Sequence, residues 1–212
     1  MGNKNIEQYY TNMAKNITDA KATRNKAKDS SKYDIQLMKS FSGENKTLLD
    51  LGAGTGLLIN DLTHNFKQII AIEKYPEFSK FITKSPQTTI INSDLLLWEN
   101  QENIKADIVS LFGVIPYFDI QESTTIYKNA FKDLKDNGLL IVKHQMGIEE
   151  DIIINGFSEE LQTHYYSEYR QVDKEITLLK NIGFTNIEKI DIYPPEYNRW
   201  DNTHFYALIA HK

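Results

Sequence analysis

Three glycines at alternating positions give the clearest chemical signal in the chain. The segment LLDLGAGTG, residues 48–56, ends an apolar run with Gly52, Gly54 and Gly56. Glycine lets the backbone turn tightly and lets a ligand approach with no Cβ in the way. A loop of this kind after a buried strand is where open α/β sheets bind nucleotide-like ligands. The spacing therefore predicts a cofactor site at this loop.

Three classes of ligand compete for such a loop. A nucleoside triphosphate needs G-x-x-x-x-G-K-[ST], and the chain contains no Gly-Lys-Ser or Gly-Lys-Thr. A dinucleotide needs a third glycine at residue 57, which is Leu57. S-adenosylmethionine has no phosphate, so its loop needs only room for a ribose and an amino-acid tail. The spacing G-x-G-x-G favours this third ligand.

At these residues the sequence resembles the class I S-adenosylmethionine-dependent methyltransferases, over about residues 47–145. The resemblance implies that Glu73, at the end of the second strand, binds both ribose hydroxyls. It also implies that Asp94 lies near the adenine amino group and that the fourth strand ends beside the cofactor. Glu73 as a solvated helix-start residue and Asp94 as a helix N-cap are the alternatives. The predicted cofactor-binding residues are Asp50, Gly52, Ala53, Gly54, Thr55, Gly56, Glu73, Lys74, Ser93, Asp94, Leu95, Phe112 and Gly113.

Alternating helical and strand-like patterns must position these residues. The patterns predict strands at 47–51, 68–74, 88–94, 106–112, 138–144, 186–193 and 204–211, and helices at 5–20, 34–41, 57–64, 76–84, 120–136 and 167–182. Helical connections imply a parallel sheet with helices on both faces. Only ten residues separate the last two strands, so that pair is predicted to be antiparallel. The fold class is therefore α/β, with a Rossmann-like, seven-stranded, mostly parallel sheet.

The predicted organisation is an N-terminal helical cap, 1–46, followed by a methyltransferase domain, 47–212. An insert at about 146–170 has no place in a minimal alternating fold. It carries Tyr166 and Arg170 and is equally well explained as a lid over the site or as a surface excursion.

Candidate catalytic residues come from two strand ends. His144 ends the fifth strand, and the resemblance places the seventh strand beside it, which brings His204, Arg199 and Trp200 to the same rim. His144 is the first candidate base and His204 the second, and the alternative for both is a structural histidine. No residue set has convincing metal-ligand spacing, so no metal is predicted.

Further substrate contacts are predicted in the N-terminal segment and after the fourth strand. Residues 13–33 carry six basic and two acidic residues, which is typical of a solvated face or of a cap over an anionic substrate. Tyr9, Tyr10 and Arg24 are the candidate contacts of such a cap. Tyr117 follows the fourth strand in FGVIPY, where amino-methylating relatives carry Asn/Asp-Pro-Pro-aromatic. The missing Asn or Asp counts against methylation of a base or a glutamine amide.

Bulk composition limits the partners. The net charge of −5 argues against general binding to nucleic acid or to anionic membranes. The absence of cysteine excludes a disulfide framework. With no apolar run long enough to cross a bilayer, a cytoplasmic protein is expected. The sequence thus predicts a methyltransferase for a small, anionic metabolite, with oxygen favoured over nitrogen as acceptor. The alternatives are a cofactor-binding protein without methyl transfer and an aminopropyl-type transferase.

Overall fold

The computed structural model describes residues 4–24, 29–100, 103–159, 163–198 and 200–212. These residues form nine strands: β1 Gly43–Leu51, β2 Phe66–Glu73, β3 Thr88–Asn92, β4 Ala106–Phe112, β5 Leu134–Gly147, β6 Ile152–Ser158, β7 Thr163–Tyr169, β8 Thr185–Asp191 and β9 Thr203–His211. They also form five α-helices: α1 Lys4–Asn16, α2 Ser31–Phe41, α3 Pro76–Ser79, α4 Ile120–Asp133 and α5 Val172–Ile182. None of these helices is long and apolar enough to cross a membrane.

Seven strands make one sheet in the order β3-β2-β1-β4-β5-β9-β8. The first five in this order run parallel, and β9 is antiparallel to both of its neighbours. The predicted α/β fold is confirmed, including the antiparallel final pair. Because parallel strands end at one edge, the loops after β1, β2, β4 and β5 meet there.

Side chains alternate between the two faces of the sheet and fill two cores. On one face, β1 and β5 contribute Leu49 and Val142 to a core closed by Tyr127 of α4 and Leu179 of α5. On the other face, strand residues such as Leu48 and Ile141 pack with Met38 of α2, which is fully buried. The second helix of the predicted N-terminal cap therefore shares the core of the sheet, while a boundary at residue 46 stays a prediction.

Five predicted helices differ from the structure, and the first of them, 5–20, ends at Asn16. Residues 57–64 form turns and a short 3-10 helix, Ile59–Asp61, in which Ile59 and Leu62 are buried at a spacing that an α-helix would also give. The predicted helix 76–84 is an α-helix only over Pro76–Ser79. The predicted helix 120–136 ends at Asp133, and the Asn137-Gly138 pair lies within β5 instead of closing the helix. The first part of the predicted helix 167–182 belongs to strand β7.

The predicted insert forms a β-hairpin of β6 and β7, a second and separate two-stranded sheet. Its tyrosines suit a strand, because aromatic side chains pack well on a pleated surface. The hairpin contacts α1, and the ring of Tyr165 lies 6.4 Å from that of Tyr117. The excursion thus packs against residues near the carboxyl edge of the main sheet, and its action as a lid stays a prediction.

Candidate active site

A cavity of about 660 Å³ opens at the carboxyl edge of the sheet. Its walls come from the glycine loop after β1, the ends of β2, β4 and β5, helices α1 and α2, and the segment 193–198 before β9. The volume lies in the range of about 300–1,000 Å³ that is usual for small-molecule and cofactor sites. The cavity thus lies at the ends of the parallel strands, where the sequence predicted the site.

The glycine loop leaves open space that a side chain would occupy. Gly52 and Gly54 have φ angles of +83° and +55°, which L residues with a side chain rarely adopt. A Cβ on Gly52 would lie 2.5 Å from Val114, whereas a Cβ on Gly54 would have no neighbour within 4 Å and would project into the open space. The loop is therefore packed on one side and open on the other, as a ligand cradle requires.

Glu73 joins the glycine loop to the end of β2. Its carboxylate accepts hydrogen bonds from the backbone N–H groups of Gly54, at 2.8 Å, and Tyr75, at 2.9 Å. Burial raises the pKa of Glu73, and the backbone hydrogen bonds oppose that rise. Each carboxylate oxygen has a further lone pair, which is what two ribose hydroxyls need as acceptors. The carboxyl group therefore fits the role that the resemblance implies.

Asp94 and Lys74 link the cavity to the N-terminal helix. One Asp94 oxygen accepts the N–H of Leu96 at 2.9 Å, and the other lies 3.0 Å from the Lys74 ammonium. Lys74 also donates to Glu7 of α1 at 2.6 Å. Burial opposes the charge on Lys74, but these carboxylates outweigh it and raise its pKa. Asp94 thus makes a cap-like hydrogen bond while lining the cavity, so its two interpretations are compatible.

Asp50 is buried at the end of β1 and also lines the cavity. Burial raises its pKa to about 6, against the effect of the Ser110 hydroxyl, which donates to Asp50 at 2.5 Å.

Two predicted cofactor residues, Gly56 and Ser93, lie outside the cavity wall. Gly56 faces Asn60, which would lie 2.8 Å from an added Cβ. The remaining predicted cofactor residues line the cavity: Asp50, Gly52, Ala53, Gly54, Thr55, Glu73, Lys74, Asp94, Leu95, Phe112 and Gly113.

Of the predicted substrate contacts, Tyr10 and Tyr117 line the cavity with their rings 5.4 Å apart. Tyr9 is buried behind Tyr10 and contacts it edge to face. Two others stand outside the wall: Tyr166 bonds Glu168 on the hairpin, and Trp200 is 39% exposed. Arg199 lies outside the described residues, and for Arg24 only the backbone, at the end of a short 3-10 helix, is described.

The structure contradicts the predicted role of Arg170 at the rim. Its guanidinium is buried and bonds Glu175 at 2.7 Å, the Ser123 hydroxyl at 2.8 Å and the Phe118 carbonyl at 3.3 Å. These interior partners occupy the donor fork that would grip an anionic substrate. Arg170 instead ties α5 and the hairpin to α4.

The two predicted catalytic histidines do not line the cavity. Alternation along β5 turns Lys143 towards α2 and the cavity and turns His144 towards α5. His144 is 2% exposed, and burial lowers its pKa to about 4. His204 lies on the same face as His144; its ring bonds Asp191 and Asn198, and only Asn198 reaches the cavity. This geometry does not support either residue as the base.

Sequence reasoning missed a polar cluster at the end of the cavity away from Asp94. Lys143 donates to the Tyr193 hydroxyl at 2.8 Å and lies 3.1 Å from the Asp34 carboxylate. The Tyr193 hydroxyl donates to the other Asp34 oxygen at 2.6 Å. Side-chain alternation along β5 was the available signal, because Lys143 points to the same face of the sheet as Ile141. Asp34 and Tyr193 lie far from Lys143 in the sequence, so no local pattern indicated that they are its partners.

The fold and the site together define a class I S-adenosylmethionine-dependent methyltransferase, with a glycine loop after the first strand of the sheet and a buried carboxylate ending the second. The family model of ribosomal RNA adenine dimethylases matches residues 11–185. The chain therefore belongs to the ribosomal RNA adenine dimethylase family, and its cofactor is S-adenosylmethionine. Comparison with curated protein sequences finds no match.

Solved structures share the fold at low sequence identity. The 1,6-didemethyltoxoflavin-N1-methyltransferase of Burkholderia thailandensis, with S-adenosylhomocysteine bound, is 12% identical with a TM-score of 0.73, over 98% of this chain and 87% of that one. The N-methyltransferase NodS of Bradyrhizobium japonicum, also with S-adenosylhomocysteine, is 15% identical with a TM-score of 0.68, over 96% and 98%. The glycopeptide N-methyltransferase MtfA, in complex with S-adenosylmethionine, is 12% identical with a TM-score of 0.68, over 87% and 94%.

Proposed function

We propose that this enzyme methylates a small-molecule acceptor held between α2 and the segment 193–198. The charge of the cavity wall carries the proposal. Among the described residues, the wall holds two lysines and six carboxylates: Glu7, Asp34, Asp50, Glu73, Asp94 and Glu196. A nucleic acid brings one phosphate charge per nucleotide and is bound through basic surfaces. An acidic wall in a chain of net charge −5 is the opposite arrangement.

Bound S-adenosylmethionine supplies a methyl group on a positively charged sulfur. The task of the protein is to align the acceptor with that group and to exclude water. Aromatic side chains suit this task, since they form a firm apolar wall with few rotatable bonds. Tyr10 and Tyr117 stand on the α1 side of the cavity, and Phe112, Tyr193 and Phe205 on the α2 side.

The charges of the wall favour a neutral acceptor over the anionic one that the sequence predicted. The anionic prediction rested on Arg199, on Arg170 and on the basic segment 13–33, and of these Arg170 is bonded in the interior. The two lysines of the wall are each paired with carboxylates, Lys74 with Glu7 and Asp94, and Lys143 with Asp34. An anionic acceptor would therefore find both lysines already paired with carboxylates, and it would also face the negative charge of Glu196.

Methylation of adenine in RNA is the second candidate, and membership of the family favours it. The residue after Gly113 weighs against it. Amino-methylating relatives have an Asn or Asp at this place, and here it is Val114, whose side chain packs against Gly52. The valine side chain has no atom that accepts a hydrogen bond from an exocyclic amine. The adenine amino group would lack that partner.

The test is to incubate the enzyme with S-adenosylmethionine labelled in the methyl group, with total RNA and a low-mass metabolite extract present together. The label should enter the low-mass fraction, resist ribonuclease, and appear together with S-adenosylhomocysteine. The Gly54→Val variant is the control, because its side chain would fill the cradle. Label in a ribonuclease-sensitive fraction would overturn the proposal in favour of RNA. Cofactor retention without S-adenosylhomocysteine would indicate a binding protein, and turnover only with the decarboxylated cofactor an aminopropyl transferase.

A further inference from the structure

None of the predicted cofactor contacts belongs to the cluster of Lys143, Asp34 and Tyr193, which lines the same cavity. It stands on the α2 side of the cavity, away from the Asp94 end at which the adenine is expected. Its three members come from β5, α2 and the segment before β9. Three separate elements thus converge on one buried charge.

One N–H group of the Lys143 ammonium has no hydrogen-bond partner within the cluster. An ammonium has three N–H groups. Within the described part of the chain, those of Lys143 find two partners, the Asp34 carboxylate and the Tyr193 hydroxyl. Both Asp34 oxygens are engaged, one by Lys143 and one by Tyr193. Since Lys143 is 8% exposed and that exposure faces the cavity, the third N–H is available to a ligand there.

Lys143 and Tyr193 both keep their protons near neutral pH and can donate hydrogen bonds. Burial opposes the charge on Lys143, but Asp34 and Tyr193 outweigh it and raise its pKa. Burial likewise raises the pKa of Tyr193 to about 12, so its phenol keeps its proton. The ammonium therefore stays charged, while Asp34 cancels its net charge.

Aromatic rings surround this donor. The Lys143 nitrogen lies 5.1 Å from the centroid of the Phe112 ring and 5.2 Å from that of Tyr193. Tyr193 in turn contacts Phe205 at 4.9 Å and Tyr197 at 5.7 Å between centroids. Rings at these separations prefer stacked or edge-to-face contacts, which a planar ligand can extend.

We propose that Lys143 is the specificity-determining residue of the acceptor site, and that the acceptor is a neutral planar ring compound whose hydroxyl or carbonyl oxygen accepts the third Lys143 N–H. This inference rests on the proposed function and names its substrate class. A protonated amine has no lone pair with which to accept the third Lys143 N–H. A carboxylate or phosphate would meet the charges of Asp34 and Glu196 in the same wall.

The experiment measures binding of 2-naphthol and of naphthalene to the enzyme in saturating S-adenosylhomocysteine. A hydrogen bond from a charged donor strengthens binding of 2-naphthol by about 10- to 100-fold. The Lys143→Met variant should lose that factor for 2-naphthol and keep the wild-type affinity for naphthalene. Wild type should bind 2-naphthol more tightly than 2-naphthoate and 2-naphthylmethylammonium. Lys189→Met is the matched control, because Lys189 stacks on Tyr206 outside the cavity.

A second variant guards against simple unfolding. Lys143→Met leaves the half-buried Asp34 carboxylate without its cation. The double variant Asp34→Asn with Lys143→Met is therefore measured beside it, with thermal melting of both. The double variant should melt near wild type and still show the selective loss of 2-naphthol binding.

Equal loss for both probes, no loss, or no binding of 2-naphthol by wild type would each overturn the inference. Unchanged 2-naphthol binding together with label in the low-mass fraction would refute the inference and leave the proposed function standing. Label only in RNA would refute the proposed function.

Discussion

Replacement of His144 by leucine separates a structural role from a catalytic one. The imidazole is 2% exposed, its Nδ1 has no hydrogen-bond partner among the described residues, and burial lowers its pKa from 6.5 to about 4. The folded chain therefore binds fewer protons here than the unfolded chain between pH 6.5 and 4. A His144 pKa lowered in this way costs folding stability as the pH falls through that window.

The size of the effect follows from the two pKa values. His144 alone should lower the free energy of unfolding by about 3 kcal/mol as the pH falls from 7 to 4. Asp50 acts in the opposite direction, because its raised pKa stabilises the fold as the pH falls from about 6. Wild type and His144→Leu both contain Asp50, so its contribution cancels when their unfolding free energies are compared. The difference in unfolding free energy between wild type and His144→Leu should therefore change by about 3 kcal/mol across this range.

Urea unfolding at several pH values between 4 and 8, followed by circular dichroism, gives these free energies. His211→Leu is the matched control, because its imidazole is exposed at the end of β9. Parallel pH profiles for wild type and His144→Leu would refute the assignment of a buried neutral histidine. At pH 8, turnover should stay within a few-fold of wild type. A loss of about a hundredfold or more with normal S-adenosylhomocysteine binding would restore His144 as a base.

Three further results are expected around the cofactor. Glu73→Gln should weaken S-adenosylhomocysteine binding about tenfold or more and also lower the melting temperature, since Glu73 accepts hydrogen bonds from two backbone N–H groups. Equal calorimetric affinity of wild type and variant would remove Glu73 from the site. The buried control is Glu122→Gln, in the capping box of α4. Gly54→Ala should weaken the same binding, because φ is +55° and the added Cβ enters the cradle; wild-type affinity would contradict the cradle. S-adenosylhomocysteine with 2-naphthol should slow hydrogen exchange in strands β6 and β7 relative to β8, and unchanged exchange would favour a surface excursion over a lid.

Local spacing in the sequence determined the sheet and the cofactor loop. A glycine with positive φ and a strand that ends in a carboxylate are short-range features, visible in a few consecutive residues. Such features predicted the loop of Gly52 and Gly54, and the resemblance to the methyltransferases added Glu73 and Asp94; all four line the cavity. The antiparallel final pair followed from the length of one connection.

The sequence was less informative where two structures satisfy the same pattern. Buried apolar residues at 59 and 62 suit a 3-10 helix as well as an α-helix, and 163–169 became a strand because β6 offered it a partner. Pairing of this kind depends on residues elsewhere in the chain, so propensity alone did not decide it.

Only the tertiary structure decided which polar side chains face the acceptor. Neighbouring residues of a strand point to opposite faces, so Lys143 enters the cavity while His144 is buried against α5. The sequence predicted that Arg170 contacts the substrate, but in the fold its guanidinium bonds Glu175 and Ser123. Conversely, Asp34 stands 109 residues before Lys143, and only the packing of α2 against β5 brings the two charges together. Such contacts arise from three-dimensional packing, and no local spacing along the chain encodes them.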